Sequence, residues 1–200
     1  MKIIRTVRRV DFVLQNDGSV KWTGPAGVDA DGDPRAYKLD DTGLDCLANA
    51  GYPHDPKAYA DILVVDASGC PVEQSGNDPA PGYLISKTAY ENWRFNERNP
   101  RRYLWASRVE YIVVPAWLRR AVGPIVLGCL ARVRNLRTGL TIEGLVGDIG
   151  PQNDIGEVSI ASAAGLGIDP SPRNGGTNER IIEYTIYPGV VAPAFELQAG

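Results

Sequence analysis

The chain has 200 residues, of which 44% are apolar and 22% charged, and its formal net charge is −3. These values are typical of an ordinary globular protein with enough chain to bury a core, so we expect one domain over residues 1–200. No run of about 18 apolar residues occurs, which argues against a membrane-spanning helix.

The first eighteen residues predict a β-strand rather than a secretion signal. An apolar stretch from residue 3 to residue 14 is interrupted by Arg5, Arg8, Arg9 and Asp11. A signal peptide needs an unbroken apolar segment, and this start does not provide one.

Further strand-forming segments recur along the chain. The 22 glycines and 15 prolines are many for a helical protein and favour a turn-rich β fold. β-Branched and aromatic residues predict strands over residues 3–14, 62–65, 83–86, 109–114, 125–135, 140–146 and 181–187. Residues 136–139 predict the turn of a hairpin between the fifth and sixth of these segments.

Helix is favoured only over residues 43–50, 88–93 and 158–166, the last with Ser159 near its start as the predicted cap. The pattern predicts one mostly-β domain, closed as a barrel with decorating loops.

Histidine and cysteine chemistry is poorly supported. Cys46, Cys70 and Cys129 are widely spaced with no CxxC pair, and the only histidine, His54, lies in a turn-like segment. No GxSxG segment accompanies that histidine. We therefore expect no Ser-His-Asp site, no metal site built on His and Cys, and no cofactor.

Charge is unevenly distributed along the chain. Six acids occur between Val28 and Asp45, and four acids with no base occur between Thr141 and Ile160. If these segments meet in the fold, they form a cleft that attracts a cationic substrate. Ten arginines lie between Arg94 and Arg137 without an aromatic-interleaved motif, so a solvated face or internal ion pairs are expected and nucleic acid is not.

The first acidic segment contains Asp29-Ala30-Asp31-Gly32-Asp33. A calcium-binding EF-hand loop requires glycine at its sixth position and a bidentate acid at its twelfth, and these positions are Pro34 and Asp40 here. Two interpretations remain open: a substrate-facing acidic loop, or a cluster of Asx turns without chemistry.

Asp148 and Glu157 are the main catalytic candidates. They lie nine positions apart, and each adjoins a glycine in an otherwise apolar segment. Two carboxyl groups presented at the ends of rigid elements can act as the acid and the base of glycosidic-bond cleavage. The alternative is that both are ordinary loop carboxylates.

The chain resembles glycoside hydrolase family 75, the endo-acting chitosanases, over about residues 28–188. The motifs that carry the resemblance are GDIGP at 147–151, IGEVSI at 155–160, LGI at 166–168, NGG at 174–176, VDADG at 28–32, AY at 36–37, GLD at 43–45, DPAPGY at 78–83 and YIVVP at 111–115. The block from Asp148 to Ile160 is also similar to rare-lipoprotein-A-type lytic transglycosylases and expansin-like domains.

These resemblances imply a fold, an activity and a set of site residues. The second one implies a six-stranded double-psi β-barrel. The first implies an inverting endo-chitosanase with Asp148 and Glu157 as its essential pair. Together they assign Glu157 as general acid and Asp148 as general base. Residues Asp29, Asp31 and Asp33 are then expected to bind substrate amines, with Tyr37 stacking on a sugar.

The implied partner is a polysaccharide, and the protein is expected to act as a monomer. The family is secreted, although no signal peptide is visible. Two other functions remain open: a peptidoglycan glycosidase or lytic transglycosylase, and a non-catalytic carbohydrate-binding barrel.

Overall fold

The computed structural model describes residues 1–123 and 126–192 and confirms a mostly-β single domain. Its strands are β1 Lys2–Val7, β2 Val10–Leu14, β3 Val20–Asp29, β4 Tyr111–Pro115, β5 Cys129–Asn135, β6 Thr141–Gly150, β7 Glu157–Ser159 and β8 Thr177–Val191. The helices are α1 Pro56–Ile62, α2 Ala116–Val122 and α3 Ile160–Gly165, with 3-10 turns at Leu47–Ala50 and Pro100–Arg102.

Six strands close into a barrel. They follow the order β3-β7-β4-β6-β5-β8, and β8 returns to pair with β3. The β3–β7 and β4–β6 pairs are parallel, whereas the other neighbours in the barrel are antiparallel. Strands β1 and β2 form a hairpin attached to the start of β3. Closure leaves the six barrel strands without a free edge.

An aromatic stack joins the hairpin to the barrel. The ring of Phe12 lies 4.8 Å from that of Trp22, which stacks in turn on Tyr184 at 5.0 Å. Phe12 also contacts Trp117 edge-on. All four rings are buried, and the indole N–H of Trp22 donates to the carbonyl of Ile155. This cluster holds the chain just before Glu157 against β3.

Several predicted strands differ from those observed. The segment 3–14 is a hairpin because Arg8 and Arg9 adopt positive φ and turn the chain. Residue 62 ends α1, and residues 63–65 and 83–86 contribute only isolated bridges. The hairpin over residues 132–143 is confirmed, although residue 125 of the strand predicted over 125–135 lies outside the described residues, and β5 begins at Cys129.

Strands β3 and β7 were not predicted. A Gly-Pro pair is typical of a turn, but here Gly24 and Pro25 lie at a shift in the register of β3 with β8, and the pairing resumes at Ala26 and Thr177. The helix predicted over 158–166 begins later, at Ile160, because Val158 belongs to β7. The predicted cap is confirmed, since the Ser159 hydroxyl accepts the N–H of Ser162.

The helix predictions for the loops were also partly wrong. Residues 43–50 contain only a 3-10 turn, and residues 88–93 contain no helix. Helices α1 and α2 were not predicted. Asp55 caps α1 by accepting the N–H groups of Lys57 and Ala58, in a segment where the prolines predict a turn. None of the helices in the described part of the chain has the length and apolar character needed to cross a bilayer.

Close backbone packing beside Glu157 requires glycine. Gly156 accepts a hydrogen bond from the N–H of Gly27, and a Cβ at Gly156 would lie 2.1 Å from the carbonyl oxygen of Pro25. The hydroxyl of Tyr184 would also be only 2.7 Å away. A side chain here would therefore push β7 away from β3.

We expect Gly156→Ala to lower the free energy of unfolding by about 1–3 kcal/mol, as is usual for overpacking. Gly27→Ala is the matched control, because its Cβ would meet only ordinary contacts from 3.8 Å. Urea unfolding of the two variants measures the difference. Equal stability of both variants would contradict this account of the β3–β7 contact.

Candidate functional site

A groove with two connected parts lies where β3, β6 and β7 meet the loops. One part has a volume of about 470 Å³ and contains Asp29, Asp45 and Glu157 in its wall. The other has a volume of about 230 Å³. Both parts are lined by Asp31 and Asp148, which therefore lie at their junction. The two acidic segments of the sequence thus meet in one place.

A larger hollow of about 610 Å³ lies on the outer face of the sheet. Its wall includes Lys21, Arg132, Arg134 and Glu183, and none of the predicted site residues lines it. We therefore assign the candidate site to the acidic groove.

The barrel places Asp148 and Glu157 on either side of β4. Asp148 lies on β6 and Glu157 on β7, and both pair in register with Val113 of β4. Two strand spacings separate their backbones, which corresponds to about 10 Å. Their side chains line the same cavity, so they face one another across the central strand.

Asp148 is half-buried at the end of β6. Its Oδ1 accepts the N–H of Ala89 at 2.9 Å and that of Ile149 at 2.7 Å. Burial, followed by the charge of Asp29, raises its pKa to about 8, and the two N–H donors oppose that rise.

Glu157 experiences only influences that favour its protonated form. Burial has the largest effect, and the nearby carboxylates of Asp29, Asp154, Asp148 and Asp45 add to it, so the pKa lies well above the usual range. Because Asp148 has N–H donors that stabilise its charge, it loses its proton more readily than Glu157.

Asp154 adds a buried charge next to the pair. Its Oδ1 accepts the N–H of Gly156, whereas its Oδ2 is buried and has no hydrogen-bond partner. Burial raises the pKa of Asp154 as well. The sequence analysis counts Asp154 among the four acids between Thr141 and Ile160 but assigns it no role in the site.

The carboxyl group of Asp29 lies within hydrogen-bonding distance of the Tyr111 hydroxyl. The Tyr111 hydroxyl lies 2.8 Å from the carbonyl oxygen of Asp31 and 3.1 Å from Oδ2 of Asp29. One hydroxyl proton cannot serve both oxygens fully, and the carbonyl can only accept. A protonated Asp29 resolves this conflict by donating to Tyr111. Burial raises the pKa of Asp29 to about 6, in the direction that this arrangement favours.

Asp31 is held by two hydroxyl groups. Tyr37 donates to its Oδ1 at 2.8 Å and Ser86 donates at 3.3 Å, while burial and the charge of Asp29 raise its pKa well above the usual range. The Tyr37 side chain is only 3% exposed. It lines the groove through its hydroxyl and orients Asp31, so the expected stacking of its ring on a sugar is not supported.

Asp33 does not line the groove. It is buried, and its two oxygens accept the N–H groups of Arg35 and Ser107. It thereby ties the acidic loop to the segment before β4. Asp29 and Asp33 both accept the backbone N–H two residues on, as in an Asx turn, but only Asp29 and Asp31 also line the groove.

The basic residues in the groove wall are already engaged. Arg173 donates to the carbonyl oxygens of Asp41, Gly43 and Asp45, and so joins two loops. The ammonium group of Lys87 donates to the carbonyl oxygen of Ala60. The wall therefore offers mainly carboxyl groups to a ligand, which favours a cationic one.

Three of these carboxyl groups could also surround a cation. One oxygen each from Asp29, Asp31 and Asp148 lies within 4.8 Å of the others. Hard cations such as Ca²⁺ take oxygen ligands of this kind. Hydrogen bonds with the hydroxyl groups of Tyr37, Ser86 and Tyr111 already engage oxygens of Asp29 and Asp31 without a cation. The absence of a metal stays a prediction.

Comparison of the sequence with protein-family models gives no match, and comparison with curated proteins gives none either. The assignment of chemistry to this groove therefore rests on its residues and geometry.

We expect Asp148→Asn to stabilise the protein near pH 8 by about 1–2 kcal/mol, a value discounted for the partial exposure of the group. The folded-state pKa is raised, so the stability contributed by the neutral carboxyl is present at low pH and is lost as pH rises from about 4 to about 8. The amide keeps the acceptor for Ala89 and Ile149 without the charge. Thermal unfolding at pH 4 and pH 8 measures the effect.

The matched control is Asp61→Asn, which removes an exposed carboxylate from the edge of the same groove. We expect that change to have little effect at either pH. A stability gain for Asp148→Asn that is equal at pH 4 and pH 8 would contradict the assignment of a raised pKa.

Proposed function

We propose that the protein is an endo-acting glycoside hydrolase that cleaves β-1,4-linked glucosamine polymers with inversion. One observation carries the proposal: Asp148 and Glu157 flank β4 at the same register position, inside an acidic groove. Inverting hydrolysis needs an acid and a base that are far enough apart to admit water, about 6.5–9.5 Å between carboxyl groups. Placement on alternate strands allows such a gap.

In this proposal the two carboxyl groups move one proton each. Glu157 donates its proton to the glycosidic oxygen as the bond from that oxygen to the anomeric carbon breaks. Asp148 accepts a proton from the water whose oxygen bonds to the same carbon from the opposite face. Asp148 then returns its proton to solvent, and Glu157 takes one up. The raised pKa of Glu157 favours its protonated form, which is the form that a general acid requires.

In this proposal, the positive charge of the substrate favours the ionised form of Asp148, the general base. In the free groove, burial and then the charge of Asp29 raise the pKa of Asp148, which favours its protonated form. A protonated glucosamine amine beside Asp29 or Asp31 would counter this effect and lower the pKa of Asp148. The acid cluster would then bind the polymer and also ionise the general base.

The form of the groove supports cleavage within a chain. Its two adjacent parts share Asp31 and Asp148 in their walls, and in this proposal the polymer occupies both parts and passes the catalytic pair. A closed pocket would accept only chain ends.

We expect Asp148→Asn and Glu157→Gln each to reduce the rate of chitosan cleavage by about a hundredfold or more, the range for loss of general acid or base catalysis. Release of reducing ends from chitosan, chitin and peptidoglycan measures activity. Asp11→Asn, an exposed acid on β2 that lines neither part of the groove, is the matched control, and circular dichroism verifies the fold. A dialysed, chelator-treated sample should keep full activity.

The other outcomes are decisive. Activity that survives in the double variant would overturn the assignment of the pair. Activity on peptidoglycan alone would favour the glycosidase or transglycosylase alternative. Glycan binding without cleavage by the wild type would favour the carbohydrate-binding barrel. Loss of activity with chelator would replace the proton-sharing account with a metal at Asp29, Asp31 and Asp148.

The charge of the substrate gives a further prediction. The fall of kcat/KM at acidic pH reports the ionisation of the free enzyme. The fall of kcat at acidic pH reports the ionisation of the enzyme–substrate complex. We expect the fall of kcat to lie at lower pH with a glucosamine hexamer, because ammonium groups lower the pKa of Asp148. A substrate of partly N-acetylated units is the control and should show a smaller difference. A fall of kcat at the same or higher pH would contradict substrate-assisted ionisation.

A further inference from the structure

Trp93 is the one tryptophan of the chain with its side chain in solvent. It is 79% exposed, whereas Trp22, Trp105 and Trp117 are between 2% and 8% exposed. The other three tryptophans pack in the interior of the protein. Isolated exposed apolar side chains are common, so exposure alone assigns no role to Trp93.

The inner face of the indole is braced by a fixed cation. The guanidinium carbon of Arg102 lies 4.2 Å from the ring centroid of Trp93. Two nitrogens of Arg102 donate to Oε2 of Glu91, at 2.9 and 2.6 Å, and a third donates to the carbonyl oxygen of Phe95. The side chains of Arg102 and Glu91 are largely shielded from solvent, with 12% and 19% exposure respectively. Arg102 therefore forms a flat, rigid support beneath Trp93.

The backbone of this loop is also fixed. Glu91 forms an isolated bridge with Tyr103, and the N–H of Asn92 donates to the carbonyl oxygen of Arg102. The turn that follows is closed by the N–H of Phe95, which donates to the carbonyl oxygen of Asn92. Trp93 is thus displayed on an ordered loop, and its outer face can bind a ligand without a large ordering cost.

The loop continues directly from the acidic groove. Glu91 lines the smaller part of the groove together with Asp31 and Asp148. The guanidinium group of Arg102 bonds to Glu91 in that wall and also packs on the indole of Trp93, so the indole adjoins this end of the groove.

We propose that Trp93 forms a distal sugar-binding subsite, in which the apolar face of a pyranose ring stacks on the outer face of the indole. The inference rests on the proposed function and adds a determinant of chain-length preference to it. A rigid, amphipathic aromatic ring suits a ring-shaped ligand that is apolar on its faces and polar at its edge. Arg102 is a positioning residue that acts through Trp93.

The test uses glucosamine hexamer and dimer as probes. We expect Trp93→Ala to raise KM for the hexamer about three- to tenfold, the range for an aromatic contact, with kcat and dimer cleavage unchanged. Trp93→Phe should recover part of the loss, and Arg102→Lys should give an intermediate KM because a lysine keeps the charge but not the flat support. Leu136→Ala removes an exposed apolar side chain from the hairpin between β5 and β6 and serves as the control.

Tryptophan fluorescence provides a readout that does not depend on catalysis. Because the other tryptophans are buried, the emission that responds to solvent comes from Trp93. In a Glu157→Gln background, hexamer binding should shift the emission to shorter wavelength, and Trp93→Phe should abolish that shift.

Each contrary result has a distinct meaning. Hexamer cleavage with an unchanged KM in Trp93→Ala and no emission shift would overturn the distal subsite and leave the proposed function standing. An equal loss on dimer and hexamer would also overturn it, since Trp93 would then affect the central groove. A wild type that neither binds nor cleaves the hexamer would overturn both proposals.

Discussion

Burial of several carboxyl groups in one volume is the constraint on which the groove depends. Asp29, Asp31, Asp148 and Glu157 come from β3, the loop after it, β6 and β7. Burial raises the pKa of each, and the charges of neighbouring carboxylates add to that rise. Charges placed this way are costly unless protons or donors compensate them. The surrounding structure provides both, through the Tyr111 hydroxyl and through backbone N–H groups. These donors differ from site to site, so the four acids do not titrate alike, and this difference permits an acid and a base in the same groove.

The barrel holds these groups together against their repulsion. Strand β4 is buried along its whole length and separates the strands of the catalytic candidates, while the stack of Phe12, Trp22 and Tyr184 fixes the hairpin and the chain before Glu157. Apolar burial of this kind offsets the cost of a groove that is not optimal for stability. The packing beside Glu157 leaves no room for a side chain at position 156, because even a methyl group on Gly156 would meet the backbone of Pro25.

Local sequence pattern predicted elements best where local and tertiary preferences agree. The hairpin around residues 136–139 and the cap at Ser159 depend on neighbours in the chain, and both are confirmed. Strand β3 was missed because Gly24 and Pro25 indicate a turn, whereas their actual role is a register shift set by β8. The site residues show the same contrast between local pattern and tertiary contacts. The local sequence indicates that Asp33 and Tyr37 are candidates, but partners elsewhere in the fold orient their side chains.

The sequence by itself determined the β-rich class, the two acidic segments and the candidate pair Asp148 and Glu157, because composition, charge and turn residues are local properties. Only the tertiary structure decided which acids meet. It turned Asp33 away from the groove and brought Asp29 and Asp31 beside Asp148, because strand order and closure juxtapose residues more than a hundred positions apart. The protonation of those acids is likewise a tertiary property, since a carboxyl pKa is set by the charges and donors that the fold places around it.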